Sequence, residues 1–330
     1  MADVTILTES DLRACVALDL ETVDVIDRAF ATLAGGGVVM PPILSLAIPD
    51  HHGDMDVKTA YVPGLESFAI KLASGFHDNA KLGLPSSSGL MVLFDSKTGF
   101  ARALLLDNGY LTDLRTAAAG AVAAKHLAPE GIETAGVFGA GVQADLQMRA
   151  LQLVRPFARL LVWARDPAKA GAYAARMSAA LGCPVEVAES AEACVRESQV
   201  VVTTTPSQEP LIQAQWLHPG LHITAMGSDT GTKGELDPKI AGAADRFVCD
   251  RRQQSVTLGE LRSAIAAGIV PEDWPVDELG EISAGTKPGR ANDQEVTVCD
   301  LVGTGMQDTA IATHVFRLAS EQGLGTVIES

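Results

Sequence analysis

The stretch that most constrains this chain is Thr134-Ala135-Gly136-Val137-Phe138-Gly139-Ala140-Gly141-Val142-Gln143-Ala144. Small and apolar residues lead into Gly-x-Gly-x-x-Ala, and an amphipathic run follows through Leu146, Met148, Leu151, Leu153 and Val154. That order reads as strand, tight turn and helix. Two glycines let backbone N–H groups approach a pyrophosphate, and the helix start adds the positive end of its dipole. A bare Gly-x-Gly-x-x-Ala is a weak signal, and a glycine-rich turn without a ligand is the plain alternative. The strand-then-helix context is what points to a dinucleotide.

The pattern differs on the two sides of residue 130. Residues 1–35 contain a helix with apolar positions Val23, Val25, Ile26, Phe30 and Leu33, stopped by Gly35-Gly36-Gly37. From Pro41 the period shifts toward two, with candidate strands at 43–48, 56–62, 68–74, 90–94 and 101–105 separated by turn residues, which suggests a mainly antiparallel sheet. An alanine-rich helix opens at Leu111 and runs through Leu127. Beyond Thr134 strands are expected at 134–138, 159–163, 184–188, 199–205, 221–226, 246–249 and 296–301, with helices at 142–154, 167–181 and 252–267. Short β-branched runs alternating with helices imply a parallel sheet covered on both faces. A last helix at 307–321 is expected to return to the first domain. The fold class is therefore α/β: a Rossmann-type doubly wound parallel sheet over 117–304, inserted in a discontinuous α+β domain made of 1–116 and 305–330. A length of 330 residues suits two domains.

Composition narrows the function classes. A formal net charge of −16 argues against nucleic acid, because Lys and Arg neutralising phosphates supply most of that affinity. Cys15, Cys183, Cys194, Cys249 and Cys299 are widely spaced with no Cys-x-x-Cys pair, which reads as thiols in a reducing compartment. The N-terminus shows no secretory leader pattern, and no apolar run approaches the ~18 residues of a membrane span, so cytoplasm is the expectation.

Several residues could carry chemistry. After the strand Leu160-Leu161-Val162-Trp163, alanine stands where an acid would grip the ribose, and Arg165 comes next. An arginine there accommodates a 2′-phosphate and tilts the cofactor, NAD(P)(H), toward NADP. Asp166 complicates this, since a small register change would bring it to the ribose. Before Pro167 it also reads as a helix N-cap. Lys71 lies in the apolar strand Phe68-Ala69-Ile70-Lys71-Leu72-Ala73, where a cation needs an anionic partner or ligand, unless its head simply reaches solvent. Arg115 near a helix start is also out of place electrostatically, and an anion beside it would resolve the conflict. Thr116 offers a hydroxyl and an N–H to the same anion. The loop Met226-Gly227-Ser228-Asp229-Thr230-Gly231-Thr232-Lys233-Gly234-Glu235-Leu236 follows a parallel strand, where ligands collect. Its Asp229 is either a turn former or a proton acceptor and donor. Metal is not expected: His77, His126, His218 and His222 lack ligand spacing and read as structural or surface residues.

Three stretches together, Leu111-Thr-Asp-Leu-Arg-Thr-Ala-Ala-Ala-Gly, Gly139-Ala-Gly-Val-Gln-Ala and Met226-Gly-Ser-Asp-Thr-Gly-Thr-Lys-Gly-Glu-Leu, resemble the ornithine cyclodeaminase/µ-crystallin family in order and spacing from about Val39 to Ala312. Asp56-Val-Lys-Thr-Ala-Tyr-Val-Pro-Gly and Leu104-Leu-Leu-Asp-Asn-Gly-Tyr-Leu-Thr-Asp look like the branch of ectoine and hydroxyectoine degradation. The resemblance implies a homodimer joined through the first domain's sheet, with an active site between the domains. It assigns the substrate carboxylate to Lys71 and Arg115, and the substrate amine or imine to Asp229. It gives the cofactor Thr116, Gly139, Ala140, Gly141, Val142, Gln143 and Lys233, to which Arg165, Thr204, Thr205, Met226 and Gly227 are added as expected cofactor contacts. One departure stands out: many members carry an arginine shortly after the proline near position 42, and here Ile43-Leu44-Ser45 follows. Either Lys58 substitutes from a neighbouring strand or the substrate differs.

The expected function is thus an NAD(P)-dependent enzyme acting at the Cα–N bond of a small amino or imino acid. Cyclodeaminase, imine (ketimine) reductase and alanine-type amino-acid dehydrogenase share one constellation, and the branch resemblance adds an ectoine-derived substrate. A µ-crystallin-like protein that holds cofactor and ligand without turnover is the alternative of another class.

Overall fold

The computed structural model describes residues 3–329. The first two residues of the N-terminal stretch and the side chain of His77 lie outside the described residues. The chain divides into two compact units, one of Met1–Arg115 with Thr304–Ser330 and one of Thr116–Gly303.

The first unit is built on a seven-stranded sheet whose order across is Thr326–Glu329, Asp3–Thr8, Ala101–Leu106, Ser87–Asp95, Ser67–Phe76, Gly53–Ala60 and Leu44–Ile48. The two strands from the chain ends were not expected. They pair antiparallel with each other, and Asp3–Thr8 joins Ala101–Leu106 in parallel. The strand expected at 56–62 instead spans Gly53–Ala60, because the left-handed His52 (φ 46°) turns the chain straight into its ladder with Ser67–Phe76. Alternation decides the faces: Ala69, Lys71, Met91, Leu93, Ala103 and Leu105 are buried, while Ile70, Leu72, Val92 and Leu104 stay half-exposed. Helices Leu20–Ala34 and Gly305–Glu321 pack on each other, and the latter packs on the central strands. Their buried residues include Ile26, Phe30, Leu33, Met306, Ile311 and Val315.

The second unit holds an eight-stranded, all-parallel sheet in the order Asp277–Glu278, Arg246–Cys249, Thr297–Asp300, His222–Ala225, Val200–Thr203, Ile132–Phe138, Phe157–Trp163 and Val185–Val187. Successive residues of each central strand feed different cores. Ala135, Val137, Leu160, Val162, Val200 and Val202 enter one with Met148, Tyr173 and Met177; Phe138, Leu161 and Val201 enter the other with Cys194, Ile240 and Leu261. This is the doubly wound α/β arrangement, and the strand order reverses between Ile132–Phe138 and Val200–Thr203. Helices Val142–Val154 and Pro167–Leu181 fall where the sequence predicts. The helix predicted over 252–267 is two short ones, Arg252–Ser255 and Glu260–Ala266. They break at Gly259, where a Cβ would run into the Asp300 carboxylate. No helix of the described residues is long and apolar enough to cross a membrane.

Candidate functional site

In the second unit the glycine turn sits at the switch point of the sheet. Gly139 has φ +114°, and a Cβ there would lie 2.6 Å from Thr204 Oγ1, so both conformation and space require glycine. Thr204 Oγ1 donates to Phe138 O (2.9 Å), which fastens the turn to the end of the neighbouring strand. Gly141 stands at the N-cap of Val142–Val154 with no side-chain cap, and nothing lies within 4 Å of where its Cβ would be. A helix start without a side-chain cap, and with open space over Gly141, has the shape that a pyrophosphate cradle requires. Ala144 is buried, and its carbonyl accepts from Tyr173 OH at 2.9 Å, so the third motif position serves helix packing. Thr116 O accepts from Gln147 Nε2 (2.9 Å), and that amide also donates to Gln143 Oε1 (3.4 Å), tying two expected cofactor residues together. Arg165 is exposed just beyond Trp163, whose carbonyl accepts from Gly139 N at 2.9 Å. Asp166 caps Pro167–Leu181 by accepting from Ala168 N (3.0 Å) and Lys169 N (3.3 Å), so its carboxylate is committed to the helix.

The loop after His222–Ala225 is held by a residue that sequence reading missed. Glu235 is fully buried: Oε1 accepts from Thr205 N (2.6 Å) and Thr205 Oγ1 (2.7 Å), and Oε2 from Thr203 Oγ1 (2.6 Å) and Gly227 N (2.8 Å). It therefore fixes Thr205 and Gly227, both expected cofactor contacts, at adjacent strand ends. Burial raises its pKa, while these four donors oppose the rise. Asp229 is 48% exposed, and its Oδ1 pairs with Lys233 Nζ at 2.7 Å. The structure thus joins the expected proton-handling aspartate to a lysine expected near the cofactor. Met226 is buried at the strand end, its N–H donating to Thr203 O at 3.1 Å. His222 is neutral and structural: burial drives its pKa down to about 3, and its ring lies between the hydroxyls of Thr297 (2.8 Å) and Thr224 (3.0 Å). Among the described residues no group of His, Cys, Asp and Glu could hold a metal.

In the first unit the charged residues are gathered. Lys58 and Lys71 stand directly opposite each other on neighbouring antiparallel strands and are 8% and 2% exposed; Arg115 is 5% exposed. The solvent-reaching alternative for Lys71 is thereby ruled out. The anion sought beside Arg115 is present, and the protein itself supplies it as Asp308. Asp308 Oδ1 accepts from Arg115 Nε (2.9 Å) and Lys71 Nζ (3.1 Å), and Oδ2 lies 2.9 Å from Lys71 Nζ. Asp308 reaches this point because the helix Gly305–Glu321 begins hard against the strand Gly53–Ala60: a Cβ on Gly305 would collide with the Thr59 backbone. Thr309 fixes the depth, accepting from Ala69 N (3.1 Å) and donating to Ala60 O (2.9 Å). Burial pulls the Lys71 pKa down to about 7 against the attraction of Asp308, with Arg115 and Lys58 pulling the same way as burial. Asp308, although buried, is held below the usual carboxylate range by Lys71, Arg115 and Lys58. Asp308 was not among the expected residues: it lies in the first turn of a helix, where an acid is ordinary, and nothing nearby in the sequence sets it apart.

A doubly wound sheet with a glycine turn at its switch point defines an α/β protein of the dinucleotide-binding class. The chain belongs to the ornithine cyclodeaminase/mu-crystallin family, whose sequence model matches residues 3–323, as the three motifs predict. A protein of Rhizobium meliloti (strain 1021) that bears the name of a dehydrogenase is 53% identical over 330 residues, with all of both chains covered. The Δ1-pyrroline-2-carboxylate reductase of Thermococcus litoralis, solved in complex with NADH and L-proline, superposes with a TM-score of 0.92 at 32% identity, covering 98% of this chain and 99% of that one. The iminosuccinate reductase of Paracoccus denitrificans, solved in complex with NAD+, gives 0.91 at 35% identity over 99% and 100%.

Proposed function

We propose that this protein is a nicotinamide-dependent enzyme of amino and imino acid metabolism that acts at a Cα–N bond. The observation that carries this reading is the buried cation group on Asp308. It is a carboxylate site that already holds one carboxylate, at the positions the family resemblance assigns to the substrate. Lys71 and Arg115 hold the substrate carboxylate and so fix where Cα lies; positioning of this kind is worth up to several kcal/mol, about 7–11 at the limit. The glycine turn from Gly139 to Gln143, with Thr116, Thr204, Thr205, Met226, Gly227 and Lys233, holds the cofactor. When bound, the nicotinamide supplies a hydride to the imine carbon, or removes one from Cα in the reverse direction. Asp229, oriented by Lys233, gives the matching proton to the imine nitrogen and takes it back in the oxidative direction. A cyclodeaminase adds attack by a second amine and loss of ammonia to the same steps.

Three finer readings accompany this one. Arg165 takes a 2′-phosphate, so NADPH serves beside NADH; the commitment of Asp166 to its helix supports this. The half-exposed sheet face that carries Ile70, Leu72, Val92, Leu104 and the stacked Phe68–Phe94 rings (5.3 Å) forms a homodimer. The five free cysteines support a cytoplasmic location. The test is oxidation of NADH and of NADPH with a panel of cyclic imines, 2-oxo acids with ammonia, and an ectoine-derived imine. Turnover with at least one is expected. Tight cofactor binding without any turnover would overturn catalysis in favour of a binding protein.

A further inference from the structure

The loop of the second unit that carries Asp229 is fixed at its base and lightly held at its tip. The base is held by the short helix Glu260–Ala266, which brings two charged side chains to the chain around Lys233. Arg262 Nη2 donates to Lys233 O at 2.7 Å, and Ser228 Oγ donates to the same oxygen at 3.0 Å, so both lone pairs of that carbonyl are used. The N–H of the same peptide, that of Gly234, donates to Ser207 O at 2.9 Å. Beyond it, Glu260 Oε1 accepts from Glu235 N at 2.8 Å and Oε2 from Leu236 N at 3.3 Å. Successive backbone groups from Lys233 to Leu236 are thereby pinned. At the tip, Lys233 N donates to Thr230 O at 3.3 Å, and the hydroxyls of Thr230 and Thr232 lie 3.3 Å apart. Asp229, at the exposed end, is tied back to the pinned segment through Lys233 Nζ at 2.7 Å. Arg262 itself is half-buried, and its Nε is buried without a hydrogen-bond partner. A guanidinium drawn partly out of water and turned to a neutral carbonyl contributes little net stability. A purely structural use remains as the alternative, since Arg262 also favours the ionised form of the buried Asp300.

We propose that Arg262 is a positioning residue for proton transfer, acting through Lys233 on Asp229. Arg262 holds the Lys233 carbonyl, the held peptide sets where the Lys233 side chain starts, and Lys233 Nζ keeps the Asp229 carboxylate in place. The proposal rests on the assignment of proton transfer to Asp229 made above. Freed from Arg262, the Lys233 peptide keeps only the Ser228 hydroxyl on its carbonyl, and the lightly held tip moves with it. A displacement of about 1 Å in a reacting group can cost on the order of a hundredfold in rate, while contacts that bind the ligands elsewhere are unaffected. The expected signature is therefore a loss in kcat without a matching loss in binding.

The experiment measures NADH oxidation with Δ1-pyrroline-2-carboxylate, or with whichever imine of the wider panel is reduced fastest, and counts kcat per NADH-binding site. Arg262→Met should lower kcat by about tenfold or more, with KM and the NADH Kd within about threefold of wild type. Arg262→Lys should recover most of the loss, because a single nitrogen makes the contact to Lys233 O and a lysine can place one there. In a Lys233→Met background, Arg262→Met should cost less than about twofold more, since both changes act through one group. A structural role alone would instead repeat the whole loss in that background. If chemical denaturation shows that Arg262→Met does not fold, Arg262→Gln makes the same comparisons. A kcat within about twofold of wild type, a loss repeated in full without Lys233, or an NADH Kd that weakens in step overturns the positioning role. The reading of Asp229 then still stands if Asp229→Asn abolishes turnover. Wild-type turnover in Asp229→Asn, or no turnover of the wild type with any imine, overturns both.

Discussion

The two units are built by opposite means. The first gathers buried side-chain charge: Lys71 and Arg115 hold Asp308 between them, and buried Lys58 stands opposite Lys71 on the next strand. The second is shaped by its backbone: Gly139 and Gly141 clear the way to a helix N-terminus, and the buried acid Glu235 is occupied with the chain's own N–H and O–H groups. The difference teaches where specificity can change. A backbone cradle accepts any pyrophosphate and alters little when one side chain is replaced. A charged group changes its substrate when a single cation is moved, and here Lys58 is present while the arginine after Pro42 is not.

Substitutions can break this contrast, and the largest effect is expected at Asp308. Asp308→Asn leaves the buried Lys71 and Arg115 without their shared carboxylate and should cost about 3–5 kcal/mol in chemical denaturation. A loss below about 1 kcal/mol would mean that the cations are not packed on it. Gly139→Ala should come next: the positive φ costs about 1–3 kcal/mol and the new Cβ pushes into Thr204. NADH affinity, measured by fluorescence titration, should fall with it. Glu235→Gln should cost about 1–3 kcal/mol, since an amide nitrogen would face donors now served by a carboxylate oxygen. It should also weaken NADH more than the substrate.

Acidity sharpens the comparison further. Lys71 titrates near 7 in the folded protein, against 10.5 when unperturbed. Between those values the unfolded chain binds more protons, so this group's contribution to stability rises as pH increases through that window. Substrate binding should move the other way, with KM climbing above pH ~7 as the ammonium is lost. Lys71→Arg, permanently charged, should flatten that climb. The smallest effect belongs to the exposed Arg165: Arg165→Ala should lower kcat/KM for NADPH and leave NADH unchanged, and equal losses would remove its assignment.

The same contrast explains what could be read in the sequence. The turn and its two helices were legible because their signals are local: Asp166 before Pro167 starts one helix, and Gly182 in the left-handed region ends it. The strand at Asp3–Thr8 was not, because its partners come from residues 101–106 and the far end of the chain. The break at Gly259 was hidden for a similar reason, since the obstacle is Asp300, which is distant in sequence. Asp308 and Glu235 look locally like ordinary helix and loop acids; only tertiary packing shows that they are buried and what they hold. Lys71 and Arg115 could be singled out as electrostatic misfits, yet the carboxylate that resolves them lies about two hundred residues further along.

The division of labour is tested most directly by Lys71→Ala, with imino acid KM and NADH Kd measured on the same preparation. Substrate KM should rise by about tenfold or more, equivalent to ~1.4 kcal/mol, while the NADH Kd stays within about twofold. An unchanged KM, or an NADH Kd that weakens in step with it, would contradict the assignment of substrate to the charged unit and cofactor to the glycine turn.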